Sequence, residues 1–193
     1  MLNNNSFLQM FTKDPVIGFL SLHEHEKTEY QGSLLITNLA GTPLEFRCTQ
    51  PIIPDAIQRS LYGTGLLEYL GVEVCGRPLI RSAKLKSKCI FIEQSFLMAL
   101  NDYVSRPIVF VREFRGEEPP SPITLKYPYQ SDVVKPYQQD LNLLQIAQKD
   151  VIALKTKDFV TQLAHKINFV ESFDRMRQAV QNLSQLTLPS PER

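Results

Sequence analysis

VIGFLSLHEHEKTEYQGSLLITNLAGTPLEFRCT, residues 16–49, is the stretch that decides the fold. Its first run alternates. Ile17, Phe19, Ser21, His23 and His25 fall on one side of an extended chain, and Gly18, Leu20, Leu22, Glu24 and Glu26 on the other, because successive side chains of a strand point to opposite faces. The polar break KTEYQG follows, and its Gly32 is expected to take a positive φ there. SLLITN comes next, then the turn LAGTP, then LEFRCT. A Gly-Thr-Pro turn between two short β-rich runs predicts a hairpin, with Leu44, Phe46 and Cys48 facing inward. Three antiparallel strands in succession make a meander.

Downstream, PIIPD ends the third strand, and Pro54 followed by Asp55 reads as a helix start with the acid at the positive end of the dipole. Ile57, Leu61, Thr64, Leu67 and Leu70 recur at helical spacing and predict the buried stripe of that helix. Gly63, Gly65 and Gly71 interrupt it at a cost of about 1 kcal/mol each relative to alanine, so Gly63 and Gly65 are expected to mark close packing against a sheet. After the basic connector RPLIRSAKLKSK, KCIFIE (88–93) reads as a buried strand, SFLMALNDYVSR as a short helix opened by Ser95, and PIVFVREF (107–114) as another strand. Such a unit is a crossover connection, right-handed if the strands are parallel. The expected sheet is mixed, with about five strands.

The character changes at Arg115. Pro119, Pro120, Pro122, Pro128 and Pro136 crowd one segment, with Tyr127, Tyr129 and Tyr137 interleaved. That density blocks helix and central strand alike. Residues 137–150 (YQQDLNLLQIAQKD) and 158–183 (DFVTQLAHKINFVESFDRMRQAVQNL) read as helices, the second with Phe159, Leu163, Ile167, Val170, Phe173, Met176, Val180 and Leu183 stepping by three or four. The fold class is therefore α+β: an N-terminal antiparallel meander extended to a small mixed sheet with packing helices, then a Pro-rich strap and C-terminal helices. In domains, this gives an α+β core over 1–115, a Pro/Tyr-rich linker or strap over 116–137, and a helical arm over 138–193.

Gly32 to Phe46 spell G-x-L-x-x-T-N-x-x-G-x-P-x-E-F, Leu61-Tyr62-Gly63 an "LYG" helix, and Phe173 to Ala179 a late F-D-R-M-R-x-A helix. In these three elements the chain resembles a family of uncharacterised bacterial proteins. The resemblance covers about half of the chain. It implies a compact unit of this shape and brings no activity with it.

Composition excludes some classes of function. Of 193 residues 43% are apolar and 21% charged, ordinary globular usage, and 21 basic against 20 acidic residues leave no global field to attract nucleic acid or an acidic membrane. Cys48, Cys75 and Cys89 are odd in number and lack CxxC spacing, which reads as reduced thiols used as small apolar residues in a cytosolic protein. The opening MLNNNSFLQMF has no basic n-region of a signal peptide, and the apolar runs fall far short of the roughly 20 residues a membrane helix needs. The expectation is a cytoplasmic protein that does not engage a membrane.

His23 and His25 share a strand face, so both imidazoles could reach one metal, but a zinc or iron site needs a third and usually a fourth ligand. The remaining histidine, His165, lies in the C-terminal helix. The run is expected to be a polar strand end entering a solvated turn, with no metal and no cofactor. Glu68, Glu73, Glu93 and Asp102 do not pair by spacing for acid–base work, and no GxSxG, Walker or Rossmann glycine pattern is present. Arg77, Arg81, Lys84, Lys86 and Lys88 form a basic cluster that could neutralise phosphates. The function expected is a non-enzymatic accessory or adaptor protein in a larger cytoplasmic assembly. Its protein contacts would be Tyr127, Tyr129, Tyr137, Phe159, Leu163, Val170, Phe173 and Met176, made to another chain or to a second copy. The alternatives are a nucleic-acid-associated protein using 77–88, and an enzyme whose site is assembled from dispersed residues.

Overall fold

The alternation along residues 16–25 does produce the predicted strand, and the two faces it defines organise everything else. The structure, a computed structural model, describes residues 15–25, 28–114, 129–134, 143–149, 159–160 and 162–187. Its strands are β1 (Val16–His25), β2 (Glu29–Asn38), β3 (Pro43–Cys48), β4 (Ile90–Ile92), β5 (Ile108–Phe114), β6 (Tyr129–Val134) and β7 (Leu143–Lys149). Among the described residues they form one mixed sheet in the order β3-β2-β1-β4-β5-β7-β6. β1, β4 and β5 are parallel neighbours, while β2, β3, β6 and β7 pair antiparallel. The fold is α+β, with the N-terminal meander in place and two more strands than expected.

Even positions of β1 and β2 (Leu20, Leu22, Leu34, Ile36) join Ile90, Ile92, Ile108 and Phe110 against a helical layer on one face. Odd positions (Ile17, Phe19, Leu35) join Phe91, Val109 and Val111 on the other. The first layer starts with α1 (Ala56–Tyr62), whose Asp55 and Gln58 close a reciprocal capping box: Gln58 N–H donates to Asp55 Oδ1 at 2.7 Å and Asp55 N–H to Gln58 Oε1 at 3.0 Å. It continues through a 3₁₀ turn (Gly63–Gly65), α2 (Leu66–Tyr69), a π-helical segment (Leu70–Gly76) and α3 (Arg77–Ser82), with a 3₁₀ helix at Ser95–Asp102 beside it. These changes of helical pitch displace the apolar stripe expected from regular spacing. Ile57 and Leu61 are 69% and 80% exposed, and Leu66, Leu70, Val72, Cys75, Leu79 and Ile80 make the buried face instead. Gly63 and Gly65 adjoin open space rather than a sheet.

Gly32 is not a turn glycine. It lies within β2, where a Cβ would come 2.4 Å from that of Cys75, so its missing side chain is what lets the π segment sit on the sheet. The hairpin turn uses Gly41 at φ 79°, and Asn38 Oδ1 accepts the N–H groups of Ala40 and Thr42, each at 2.9 Å.

The second layer is α4 (Phe169–Thr187) with the short helical stretch before it. The helix expected to run unbroken over 158–183 is interrupted at 165–168, where Asn168 Oδ1 caps the new start by accepting Glu171 N–H at 3.1 Å. The helix expected over 137–150 is corrected outright: Leu143–Lys149 is β7, paired with both β5 and β6. Part of the expected strap, Tyr129–Val134, is the outermost strand β6, the place in a sheet where a proline-flanked segment is tolerated. No helix among the described residues is long and apolar enough to cross a membrane.

Candidate nucleic-acid interface and a second polar cleft

The connector between α3 and β4 and the turn before β5 both lie at the amino ends of the parallel strands. Between them opens a cleft of about 230 Å³ lined by Arg77, Arg81, Lys86 and Arg106, with Tyr103 at its side and no acidic side chain in its wall. The loop is held by Glu45 of β3, whose carboxylate accepts the backbone N–H groups of Lys84 (3.0 Å) and Leu85 (2.9 Å) and the Nε–H of Arg47 (2.5 Å). Partial desolvation works to raise the Glu45 pKa, but these donors overcome it and hold the carboxyl at about 2, well below the usual carboxylate range. Arg106 donates from Nη1 to Ser87 Oγ at 3.2 Å, and burial lowers its pKa. The Arg77 guanidinium pairs with Glu73 and lies 4.2 Å from the centroid of the Tyr103 ring.

Of the predicted basic cluster, the fold thus brings together Arg77, Arg81 and Lys86 and leaves Lys84 and Lys88 outside the cleft wall. It adds Arg106 and Tyr103, which no motif marks. The only cue was that the strand–helix–strand unit returns the start of β5 to the side of β4, and with it the turn that carries both residues.

A second cleft, of about 550 Å³, lies at the opposite edge, by the carboxyl ends of β1 and β4, the usual position for ligands in sheets with parallel strands. Glu93, just past β4, accepts Ser21 Oγ–H at 2.7 Å through Oε1 and Arg177 Nη2–H of α4 at 2.9 Å through Oε2. Gln94 takes over from the end of the β1–β4 ladder: its Nε2 donates to Leu22 O at 2.7 Å and its Oε1 accepts Leu22 N–H at 3.1 Å. Glu24 accepts Tyr30 Oη–H at 3.3 Å.

His23 is not in a solvated turn, as the sequence led us to expect. It is 7% exposed, and its Nε2 hydrogen-bonds Ser33 Oγ at 2.6 Å. Desolvation first, then the charges of Arg177 and His25, lower its pKa to about 4, so the ring is neutral at physiological pH. The His25 Nε2 is buried without a protein partner. Among the described residues no three His, Cys, Asp or Glu side chains are grouped to hold a metal ion. Ser21, Glu93 and Arg177 were not legible as a site, because the hydrogen bonds that unite them span 72 and 84 residues.

Five of the expected protein-contact residues pack within the chain itself. Leu163, Phe173 and Met176 are buried against the chain's own sheet, and Phe159 and Val170 pack beside them, since an amphipathic helix must cover its apolar face and β1 and β4 offer Phe19 and Phe91 to do so. Tyr129 opens β6, and Tyr127 and Tyr137 lie outside the described residues.

No family model matches the chain, and no curated protein matches it. Its fold is similar to that of Endonuclease V from Ciona intestinalis in complex with a 24mer DNA containing an inosine followed by a ribo-adenosine, with a TM-score of 0.57 at 9% identity over 89% of this chain and 87% of that one. It is also similar to the catalytic domain of human Endonuclease V, with a TM-score of 0.57 at 12% identity over 92% of this chain and 86% of that one. At such identities the likeness is one of fold. With the burial of the terminal helix that was to dock on a partner, this likeness overturns the expectation of a non-enzymatic adaptor or accessory subunit built for protein–protein contacts.

Proposed function

We propose that this chain is a nucleic-acid-binding protein that grips the sugar–phosphate backbone at the Arg77/Arg81/Lys86/Arg106 cleft. The observation that carries the reading is the convergence of four cations from three separate segments on one concavity without an acid in its wall. Arg77 already pairs with Glu73, and the charges of Arg81, Lys86 and Arg106 suit the closely spaced negative charges of a polyphosphate backbone. That the Ciona Endonuclease V was captured on DNA supports the same reading. The test is fluorescence anisotropy of labelled oligonucleotides over a salt series from about 50 to 200 mM. The double variant Arg81→Gln/Lys86→Gln removes two exposed side chains. It is expected to bind about tenfold more weakly, with a salt slope shallower by about 1.5 to 2. A slope identical to that of the parent would refute the assignment.

A second reading, that the protein also cleaves the strand it holds, is favoured by the meeting of Ser21, Glu93 and Arg177 at the carboxyl edge of the parallel strands. It predicts slow release of labelled fragments from a bound oligonucleotide in magnesium buffer, reduced at least about a hundredfold by Glu93→Gln. An intact substrate after prolonged incubation with the parent protein would remove it.

A further inference from the structure

Resting on the nucleic-acid reading above, we infer that the basic cleft takes a single strand, with one unstacked base laid on the Arg77–Tyr103 pair and the adjoining phosphates held by Arg81, Lys86 and Arg106. Tyr103 is 52% exposed, so a good part of its ring faces solvent beside the charged cleft. The Arg77 guanidinium lies over one face of the ring and fixes its plane.

Two features select a single strand over a duplex. The bases of a duplex present their faces only at its ends, so an aromatic plane at a phosphate-binding cleft finds no partner along a double helix, whereas every base of a single strand has a free face to stack. The cations also line a concavity of about 230 Å³ instead of standing along a ridge, and Arg106 is half-buried and tied to Ser87. A flexible single-stranded backbone can bend into that recess, while the stiff, convex edge of a duplex meets only the outermost side chains. Shared use of arginine and tyrosine also makes the site tolerant of base identity and of sugar type, because stacking and phosphate contacts read neither.

The experiment is anisotropy at one salt concentration with DNA and RNA strands of roughly 12 nucleotides, within the usual site size, and with a long-stemmed hairpin in which paired bases far outnumber those of the short loop and the stem end. Tyr103→Ala and Tyr103→Phe are compared with the parent, each checked for an unchanged thermal melt. Single strands are expected to bind more tightly than the hairpin, and Tyr103→Ala to weaken their binding about tenfold. Tyr103→Phe should restore it, and hairpin binding should stay unchanged throughout. Equal binding of strand and hairpin with no effect of Tyr103→Ala overturns this inference and leaves the nucleic-acid reading standing. Absence of binding to every probe by the parent overturns that reading as well.

Discussion

Phe173→Ala is expected to lower the unfolding free energy by about 3–5 kcal/mol, a loss of the size seen when a large buried aromatic side chain leaves a cavity. Phe173 is 2% exposed and meets Phe19 of β1 edge-on, with ring centroids 5.5 Å apart and an interplanar angle of 86°. Phe19 in turn lies 5.5 Å from Phe91 of β4, and Phe91 lies 4.6 Å from Phe169 at the start of α4. The four rings form one aromatic cluster that fastens the last helix to the two central parallel strands. Truncating Phe173 therefore removes both its buried area and an edge-to-face contact worth about 0.5–1.5 kcal/mol beyond area alone. Leu61→Ala is the control, because Leu61 is 80% exposed and a surface change of this kind moves stability by no more than about 0.5 kcal/mol. Urea unfolding of the three proteins reads the difference as a shift of midpoint at constant slope. A parent-like midpoint for Phe173→Ala would mean that α4 does not cover the sheet.

The same cluster explains how much of the fold could be read in advance. In β1 the alternation of Ile17, Phe19, Leu20 and Leu22 specifies a strand because both faces of a central strand are buried, and helices cover both faces here. In β7 the spacing of Leu143, Leu144, Ile146 and Ala147 satisfies a helical period as well as an extended one. What decides between them is the pairing with β5 at Phe110↔Ala147 and Val111↔Ile146, a non-local term that no local window contains. The stripe after Asp55 failed for another reason. Regular 3.6-residue spacing was assumed across a segment that passes through 3₁₀ and π geometry, and each change of pitch rotates the buried face.

The sites divide in the same way. Arg77, Arg81 and Lys86 lie close in sequence and were visible as a basic cluster, whereas Arg106 and Tyr103 reach the cleft only through the β4–β5 crossover. The second cleft was invisible because its hydrogen bonds tie β1 to the end of β4 and that end to α4. His23 was misassigned since a histidine in a His-Glu-His-Glu run looks solvated until α4 and β2 are seen to enclose its face.

That enclosure has a thermodynamic consequence large enough to measure. His23 titrates at about 4 in the folded protein against an ordinary value of 6.5, so between those values the unfolded chain holds a proton that the native one refuses. Stability conferred by a group whose folded pKa is depressed is fully present above the unfolded value and is lost as the pH falls towards the folded one. Going from about pH 7.5 to about pH 4.5, the cost is of order 2.5 kcal/mol, from 1.36 kcal/mol per pK unit applied over most of the gap. The window is well separated from that of Glu45, whose depressed pKa of about 2 gives a contribution that is complete above about pH 4.5 and lost only in stronger acid. His23→Gln keeps a polar group able to hydrogen-bond Ser33 Oγ while removing the titration. Urea unfolding across this range is expected to show the parent losing stability with acid and the variant changing by no more than about 0.5 kcal/mol. The sign is the discriminating feature: an imidazole stabilised in its charged form by Glu24 or Glu93 would make the parent more stable on acidification, and an exposed one would leave parent and variant parallel.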